Sequence, residues 1–288
     1  GLGFCFIAAF TRTRTCPSRK KRNYRMKIAY TLSLFAIGLG FTITAPVAAQ
    51  QKTGEPRRTR IALGPQLVPS YPGSDTIAIR SLIDVSRADV GEDFKFEAPD
   101  ESFGFAVIRV SNLSLGPSLG FEGERSSDDV GGLPEIDFSF ELGGFAQLEI
   151  GENLRFRAEA RQGGTGHDGF ISVLSADYVL RDSDRQLLSF GPRVTITDTN
   201  YQNAYFGIRP GDSSSGLPAF DADGGVQSVG ATLGYIQQFS PRWGIYSYAK
   251  YDRLIGDPAG SPVVAAFGSG DQFAGGIALT YTFGRGIE

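Results

Sequence analysis

His167 is the only histidine in the sequence and the residue best suited to catalysis. Asp168 follows it directly, and Ser172 and Ser175 come shortly afterwards. A histidine oriented by a carboxylate can act as the general base for a serine hydroxyl, as in a hydrolase. However, no nucleophile signature such as G-x-S-x-G accompanies it, and the glycines of GTGHDG favour a tight turn. We therefore predict a loop histidine and no enzyme activity, with a lipid-acting hydrolase that uses His167 as an alternative.

Acidic pairs are the other candidates for chemistry, because oxygen atoms are the ligands that Ca²⁺ prefers. The pairs are Asp128-Asp129 and the two aspartates of Asp221-Ala222-Asp223, and neither fits the ligand spacing of an EF-hand loop. The Gly-rich stretches GGTGHDG and GSGD lack the lysine of a phosphate-binding loop. The sequence therefore indicates no metal site and no cofactor.

The first 49 residues have the composition of an export signal rather than of a folded domain. They contain eight Lys or Arg residues and no Asp or Glu. A basic start at Met26 is followed by an apolar run and by small residues that end at Ala49, which is the pattern of a cleaved signal peptide. We predict a signal peptide at residues 26–49, with cleavage between Ala49 and Gln50. Residues 1–25 are interpreted as an upstream extension or as a long n-region.

The exported part, residues 50–288, is acidic and free of cysteine. Removing the eight basic residues from 28 leaves 20 Lys and Arg against 31 Asp and Glu, a net charge of −11. An acidic exported chain is a poor partner for nucleic acid, and we expect none. Because Cys5 and Cys16 both lie in the part that is removed, the exported chain has no disulfide, thiolate ligand or cysteine nucleophile.

Residues 50–288 consist mainly of short segments in which apolar and polar residues alternate, and this pattern predicts an all-β fold. The sequence shows no apolar run near the ~18 residues that would suggest a transmembrane helix. A short segment at 93–97, DFKFE, alternates more weakly. The clearest segments are 58–66, 76–86, 102–110, 113–121, 136–149, 153–161, 170–181, 186–197, 226–239, 242–254 and 272–283.

The connections between these segments sort by length. Short ones such as 151–152 and 240–241 alternate with long ones, rich in Gly, Ser, Asp and Pro, at 123–134, 198–225 and 255–271. Outer-membrane barrels have short periplasmic turns, longer outside loops and an even number of strands. With segment 93–97 counted, we predict a transmembrane antiparallel up-and-down β-barrel of twelve strands, with ten as the alternative.

The last segment, QFAGGIALTYTF, has one apolar face and one small or polar face. The apolar face carries Phe273, Ile277, Leu279, Tyr281 and Phe283. A soluble sandwich alternates in the same way, but in a membrane barrel the apolar face contacts lipid. We predict that this is the closing strand, that its Tyr281 and Phe283 are recognised by the barrel-insertion machinery, and that lipid and lipopolysaccharide surround the barrel.

Aromatic residues near the segment ends have two interpretations. Tyr201, Tyr205 and Phe206 in TNYQNAYFGI are expected in the aromatic girdle at the membrane interface, where amphipathic rings settle. A surface that binds glycan or another ligand is the second interpretation. Trp243 follows a short turn and is expected in the opposite girdle.

Several loop motifs occur in one order along the exported chain. They are YPGSD (Tyr71, Pro72, Gly73, Ser74), GHDG (His167, Asp168, Gly169), GPRVTITDTNYQNAYFGI, SGLPAF, RLIGDPAGSPVV (Gly256, Asp257, Ser261, Pro262) and the closing LTYTF. The chain resembles the MipA/OmpV family of outer-membrane proteins in the set of these motifs and in their order and spacing. The resemblance places the named loop residues in outer loops and supplies no catalytic residues.

The resemblance also implies a location and a role. It implies an outer-membrane barrel, and some members scaffold peptidoglycan enzymes, with a lytic transglycosylase and a peptidoglycan synthase as the expected partners. Others are linked to osmotic or antibiotic responses and to adhesion. We favour a non-enzymatic scaffold or envelope-stress component that binds its partner through the barrel rim or residues 50–59. A narrow channel for small solutes is the alternative, although charged inward faces would plug it.

Overall fold

The computed structural model describes residues 57–212 and 216–284. The predicted extension at 1–25, the signal peptide at 26–49 and its cleavage site between Ala49 and Gln50 lie outside the described residues. The strands are β1 Arg57–Pro69, β2 Ile77–Asp89, β3 Phe103–Gly104, β4 Ile108–Val110, β5 Leu113–Glu122, β6 Ser139–Ile150, β7 Leu154–Gly163, β8 Phe170–Asp182, β9 Gln186–Thr197, β10 Gly225–Gln238, β11 Trp243–Leu254 and β12 Asp271–Gly284. The helices are a 3-10 helix at Asp128–Val130, α1 Thr199–Phe206, α2 Gly256–Gly260 and α3 Pro262–Phe267.

The twelve strands of the described residues form one antiparallel sheet in which chain neighbours are mostly also spatial neighbours. β1 pairs with β2 on one side and with β12 on the other, so that Leu63 lies opposite Leu279. This pairing of the first and last strands is the up-and-down arrangement expected from the sequence, and the all-β barrel class is confirmed. The sheet ends at β2 and β3. Gly123, which directly follows β5, packs against the side chain of Arg80 on β2.

The prediction of a strand at 93–97 is wrong. These residues are extended, but they pair with no strand in the described part of the chain. They belong to residues 90–102, which leave β2 at Asp89 and enter the lumen, and which we call the inner segment. The predicted strand at 102–110 is broken into β3 and β4, which both pair with β5. The described residues therefore contain twelve strands, as predicted, but these are ten long strands and two short ones rather than the predicted set.

The two faces of the wall follow the alternation of the sequence. On β12, Phe273 and Leu279 are 61% and 53% exposed, whereas Thr280 and Thr282 point inward and are only 1% and 3% exposed. On β7, the inward face carries Arg155, Arg157, Glu159 and Arg161, and Leu154 and Phe156 point outward. The apolar face of the sheet is therefore its outer surface, and the charged face lines the lumen.

The long loops meet at one end of the barrel, which we call the outer end, and pack there into a hydrophobic cap. α1 begins in this cap because the Asp198 side chain accepts a hydrogen bond from the Tyr201 N–H, which makes Asp198 the N-cap. None of the helices in the described residues is long and apolar enough to cross a membrane. The cap consists of Tyr71, Val130, Leu133, Ile136, Ile171, Tyr201, Tyr205, Phe206, Ile208, Ala222, Leu254, Val263 and Val264.

A charge on the outer face of β12 tests whether this face contacts lipid. We expect Leu279→Arg to lower the free energy of unfolding in phospholipid vesicles by about 2–4 kcal/mol, because the guanidinium would lie in hydrocarbon. The control Leu279→Phe keeps the surface apolar and is expected to leave the unfolding transition nearly unchanged. Equal unfolding free energies for the two variants would contradict a lipid-facing β12.

Candidate functional site: the inner segment in the lumen

The inner segment crosses the lumen and contacts the inward faces of several strands. Its residues at 99–101 carry the sequence Pro-Asp-Glu, and these acids face the basic residues of β7, β9 and β11. Pro99 packs beside Gly234 of β10, where a Cβ would be in ordinary van der Waals contact with the proline ring at 3.4 Å. Ser102 donates a hydrogen bond of 2.5 Å to Glu159 of β7. The inner segment is thus fixed to opposite parts of the wall.

Asp100 of this segment bonds to three strands of the wall. Its carboxylate accepts two hydrogen bonds from Arg193, at 2.9 and 3.0 Å, in a bidentate pair. Lys250 Nζ lies 3.3 Å from Asp100 Oδ2, and the Thr232 hydroxyl donates to the same oxygen at 2.9 Å. Because β9, β10 and β11 each supply one of these partners, Asp100 ties three neighbouring strands to the inner segment.

Glu101 makes the corresponding contact with β7. Its two oxygens lie 2.5 and 2.6 Å from Arg155 Nη2, and Arg157 Nε lies 3.8 Å from Oε2. The Arg155 side chain is only 3% exposed, so the ion pair is screened from solvent. Removing one partner of such a buried pair typically costs about 3–5 kcal/mol, because the remaining charge is left buried and unpaired.

The start of the inner segment is anchored at the end with the short turns. Phe94 is 2% exposed, and its N–H donates to Asp184 in the β8–β9 turn at 2.9 Å. Its carbonyl accepts from Arg181 at 2.6 Å, and the Arg60 guanidinium stacks over its ring at 4.5 Å. Above it, Phe96 packs against the apolar cluster of Ala62, Leu82, Val179, Leu187, Ile236, Tyr246 and Ala278.

The lumen is therefore closed by a segment of chain as well as by charged wall residues. The ion pairs of Asp100 and Glu101 cross its middle, and Phe94 and Phe96 fill it near the short turns. The alternation of 93–97 indicates a wall strand, because an extended segment with Phe on one face has the same pattern in the wall and in the lumen. Asp100 and Glu101 gave no periodic signal that could have identified them.

His167 lies in the loop between β7 and β8, at the outer end, and is fully buried. Its Nε2 is 3.1 Å from Glu141 Oε1, and its Nδ1 accepts from the Gly169 N–H at 3.3 Å. Ser172 and Ser175 donate instead to backbone carbonyls of β7. Both imidazole nitrogens are thus engaged away from a serine hydroxyl, and this geometry offers no support for the hydrolase alternative.

The aromatic residues of α1 are not in a membrane girdle, and that expectation is wrong. Tyr201 and Tyr205 are each 1% exposed and Phe206 is fully buried, because the loops fold inward over the barrel. The Tyr201 ring packs edge-on against His167 with centroids 4.6 Å apart. Burial, and then the nearby Glu122 carboxylate, raises the pKa of the Tyr201 phenol well above its usual value, so this side chain is neutral.

The other loop motifs meet in the same cap. Gly73 has a positive φ of 88° and packs against Phe206 and Val264, where a side chain would clash. Ser261 caps α3 and donates to the Phe206 carbonyl at 2.6 Å. Tyr71, Pro72 and Ser74 lie in the β1–β2 loop, Gly256 in α2 and Pro262 in α3.

The remaining predicted residues lie nearby. The Asp168 carbonyl accepts from Gln162, and Asp257 Oδ2 accepts from the Asp223 N–H at 2.7 Å. At the short-turn end, Trp243 packs edge-on against Tyr281, which in turn stacks with Phe283. Within the described residues, no three acidic, cysteine or histidine side chains converge in a way that would hold a metal ion.

Removing the two acids of the inner segment tests whether it closes the lumen. We expect the wild-type barrel to be silent in planar lipid bilayers, and Asp100→Ala/Glu101→Ala to show conductance steps, because Arg193 and Arg155 no longer hold the segment. Glu92→Ala removes an exposed acid from the same segment and is the matched control, expected to be silent. Steady conductance by the wild type equal to that of the double variant would contradict a closed lumen.

Comparison with known proteins places the chain in a family. A profile of the family described as MltA-interacting protein MipA matches residues 61–283. The chain is 22% identical over 200 residues to the outer membrane protein OmpV of Vibrio cholerae serotype O1, a match that covers 67% of this chain and 75% of OmpV. It is 23% identical over 199 residues to the outer membrane protein Omp26La of Vibrio anguillarum, with the same two coverages.

Among solved structures, the chain is similar to OmpT of Vibrio cholerae at a TM-score of 0.36 and 10% identity, a match that covers 81% of this chain and 99% of OmpT. A TM-score this low carries no argument about fold or function. The classification depends instead on the family profile, which covers the described barrel from β1 to β12. The chain belongs to the MltA-interacting protein MipA family and is a β-barrel protein of the outer membrane.

Proposed function

We propose that this protein is a non-conducting outer-membrane barrel that docks peptidoglycan-remodelling enzymes at its periplasmic rim. The observation that carries the proposal is the inner segment, held across the lumen by Asp100 and Glu101. A barrel closed in this way is unsuited to solute passage, so its function is expected at a surface. The family description, MltA-interacting protein, supports a lytic transglycosylase as the partner, and a peptidoglycan synthase is expected to join through it.

The periplasmic rim is built from the short turns and the start of the inner segment. Exposed groups of both signs lie there, including Glu92, Glu152, Arg185 and Arg242. A mixed charged rim fits a polar protein surface, because complementary charges set orientation and association rate more than affinity. The turns themselves are small, so a stable complex needs additional contact area.

The first residues of β1 lie at this rim. β1 begins at Arg57, and Arg58 forms an ion pair of 2.8 Å with Asp184 in a periplasmic turn. The preceding residues, 50–56, lie outside the described part of the chain. We infer that residues 50–59 provide the second docking element, in which 57–59 belong to the wall and 50–56 contact the enzyme.

Deleting residues 50–56 separates docking from folding, because β1 stays intact from Arg57. We expect the deletion to reduce co-purification of a lytic transglycosylase with the barrel severalfold, while the heat-modifiable gel mobility of a folded barrel is unchanged. A scrambled sequence of the same composition at 50–56 is the control for length and charge. Unchanged co-purification after the deletion would refute a docking role for this segment.

A further inference from the structure

The barrel wall is interrupted between β2 and β3, and we call this interruption the seam. Ten antiparallel pairings link the eleven strands that run from β2 through β1 and β12 to β3, so β2 and β3 point in the same direction. Within the described residues, no strand pairs with β2 on the side away from β1, or with β3 and β4 on the side away from β5. Open sheet edges do not occur in the hydrocarbon of a membrane, so both edges of the seam require a partner.

A strand that filled the seam would have to run antiparallel to both β2 and β3, and the inner segment runs in that direction. It starts beside the β8–β9 turn, where the Phe94 N–H donates to Asp184, and ends where Ser102 contacts Glu159 near the outer end of β7. Every neighbouring pair of strands in an outer-membrane barrel is antiparallel. The inner segment therefore has the place and the direction of a third strand, although it lies in the lumen.

The start of the inner segment is a β-turn that reverses the chain. The Glu92 N–H donates to the Asp89 carbonyl at 3.1 Å, directly after β2. Gly91 has a positive φ of 90°, which the third position of a type II turn requires. The chain is thus turned back along β2 before it enters the lumen.

The end of the inner segment is a second β-turn. The Glu101 N–H donates to the Ala98 carbonyl at 3.3 Å, and Pro99 occupies the second position, which proline favours. β3 follows at Phe103. Residues 93–98 therefore lie between two turns, which are the connections of a short middle strand between β2 and β3.

The alternation of residues 93–98 also fits the wall on both sides of the seam. Pairing across the first turn places Phe96 opposite Val85 of β2, and pairing across the second turn places Phe96 opposite Phe103 of β3. Val85 and Phe103 are 46% and 57% exposed on the outer face. Residues opposite each other in a strand pair share a face, so Phe96, and with it Phe94, would contact lipid. The charged residues between them would face the lumen.

We propose that the inner segment is a movable third strand, which lies in the lumen in one state and pairs with β2 and β3 in a second state. The ion pairs of Asp100 and Glu101 with the wall hold the first state. The second state satisfies the backbone groups of both sheet edges and opens the lumen. Loss of the ion pairs therefore shifts the population from a closed barrel to an open one. This device does not depend on the proposed docking role.

Disulfide trapping in isolated outer membranes tests the proposal. The pair Val85→Cys/Phe96→Cys reports the second state, because in the first state Val85 points outward while Phe96 packs inside the lumen. We expect little cross-linking of this pair under mild oxidation while both acids are present. Adding Asp100→Ala/Glu101→Ala is expected to raise the cross-linked fraction severalfold.

Glu97→Thr, added to the same cysteine pair, leaves both ion pairs intact and is the second variant. It is expected to raise cross-linking as well, because threonine favours strands and because the second state places Glu97 opposite the like charge of Asp84. The matched control is Glu152→Thr, the same change at an exposed position in the β6–β7 turn, and it should cross-link like the parent pair.

Only folded barrels, identified by heat-modifiable gel mobility, are scored. The proposal is overturned if cross-linking does not rise in the folded barrels that carry either change. Cross-linking of Val85→Cys with Phe103→Cys in place of Phe96→Cys would show that β2 and β3 pair directly, and it would overturn the proposal too.

Discussion

The closed lumen depends on one shared carboxylate. Asp177 on β8 pairs with Arg155 of β7 through one oxygen at 3.3 Å and with Arg193 of β9 through the other at 2.8 Å. One buried carboxylate between two buried guanidinium groups leaves one positive charge without a negative partner. Glu101 and Asp100 supply it, one to each arginine, and the inner segment is thereby held in the lumen. The acids of the inner segment thus neutralise the arginines of the wall, and the arginines hold the segment in place.

This arrangement divides the lumen into regions with different physical character. Near the short turns, Phe94 is buried beneath the guanidinium groups of Arg58 and Arg60, and Phe96 packs with apolar wall residues. In the middle, the ion pairs hold the chain across the barrel. Beyond them lies a cavity of about 580 Å³, and the loops close above it by apolar packing around Tyr201 and Phe206. The inner segment therefore separates the apolar region at the short turns from the cavity beneath the loops.

The sequence predicts the wall well because lipid contact imposes a strict alternation. The outward Phe273 and Leu279 and the inward arginines of β7 follow from that period alone. The sequence does not predict the inner segment, because Phe94 and Phe96 alternate as they would in a strand. Only strand pairing distinguishes a wall strand from an extended segment in the lumen. Tyr201 is buried although the sequence predicts it at the membrane interface, because an amphipathic ring suits either place. Asp198, the N-cap of α1, is a residue type that favours a helix start and is a local sequence signal for the helix in this loop.

The most direct test of the closed lumen is a disulfide between the inner segment and the wall. Pro99→Cys and Gly234→Cys place thiols on two residues in contact, because a Cβ at position 234 would lie 3.4 Å from the Pro99 ring, and residues 50–288 contain no cysteine. Val194→Cys with Val229→Cys, at directly opposed positions on β9 and β10, is the positive control. The structure predicts that both pairs cross-link in intact outer membranes under mild oxidation. Cross-linking of the control pair alone would show that the inner segment does not lie in the lumen.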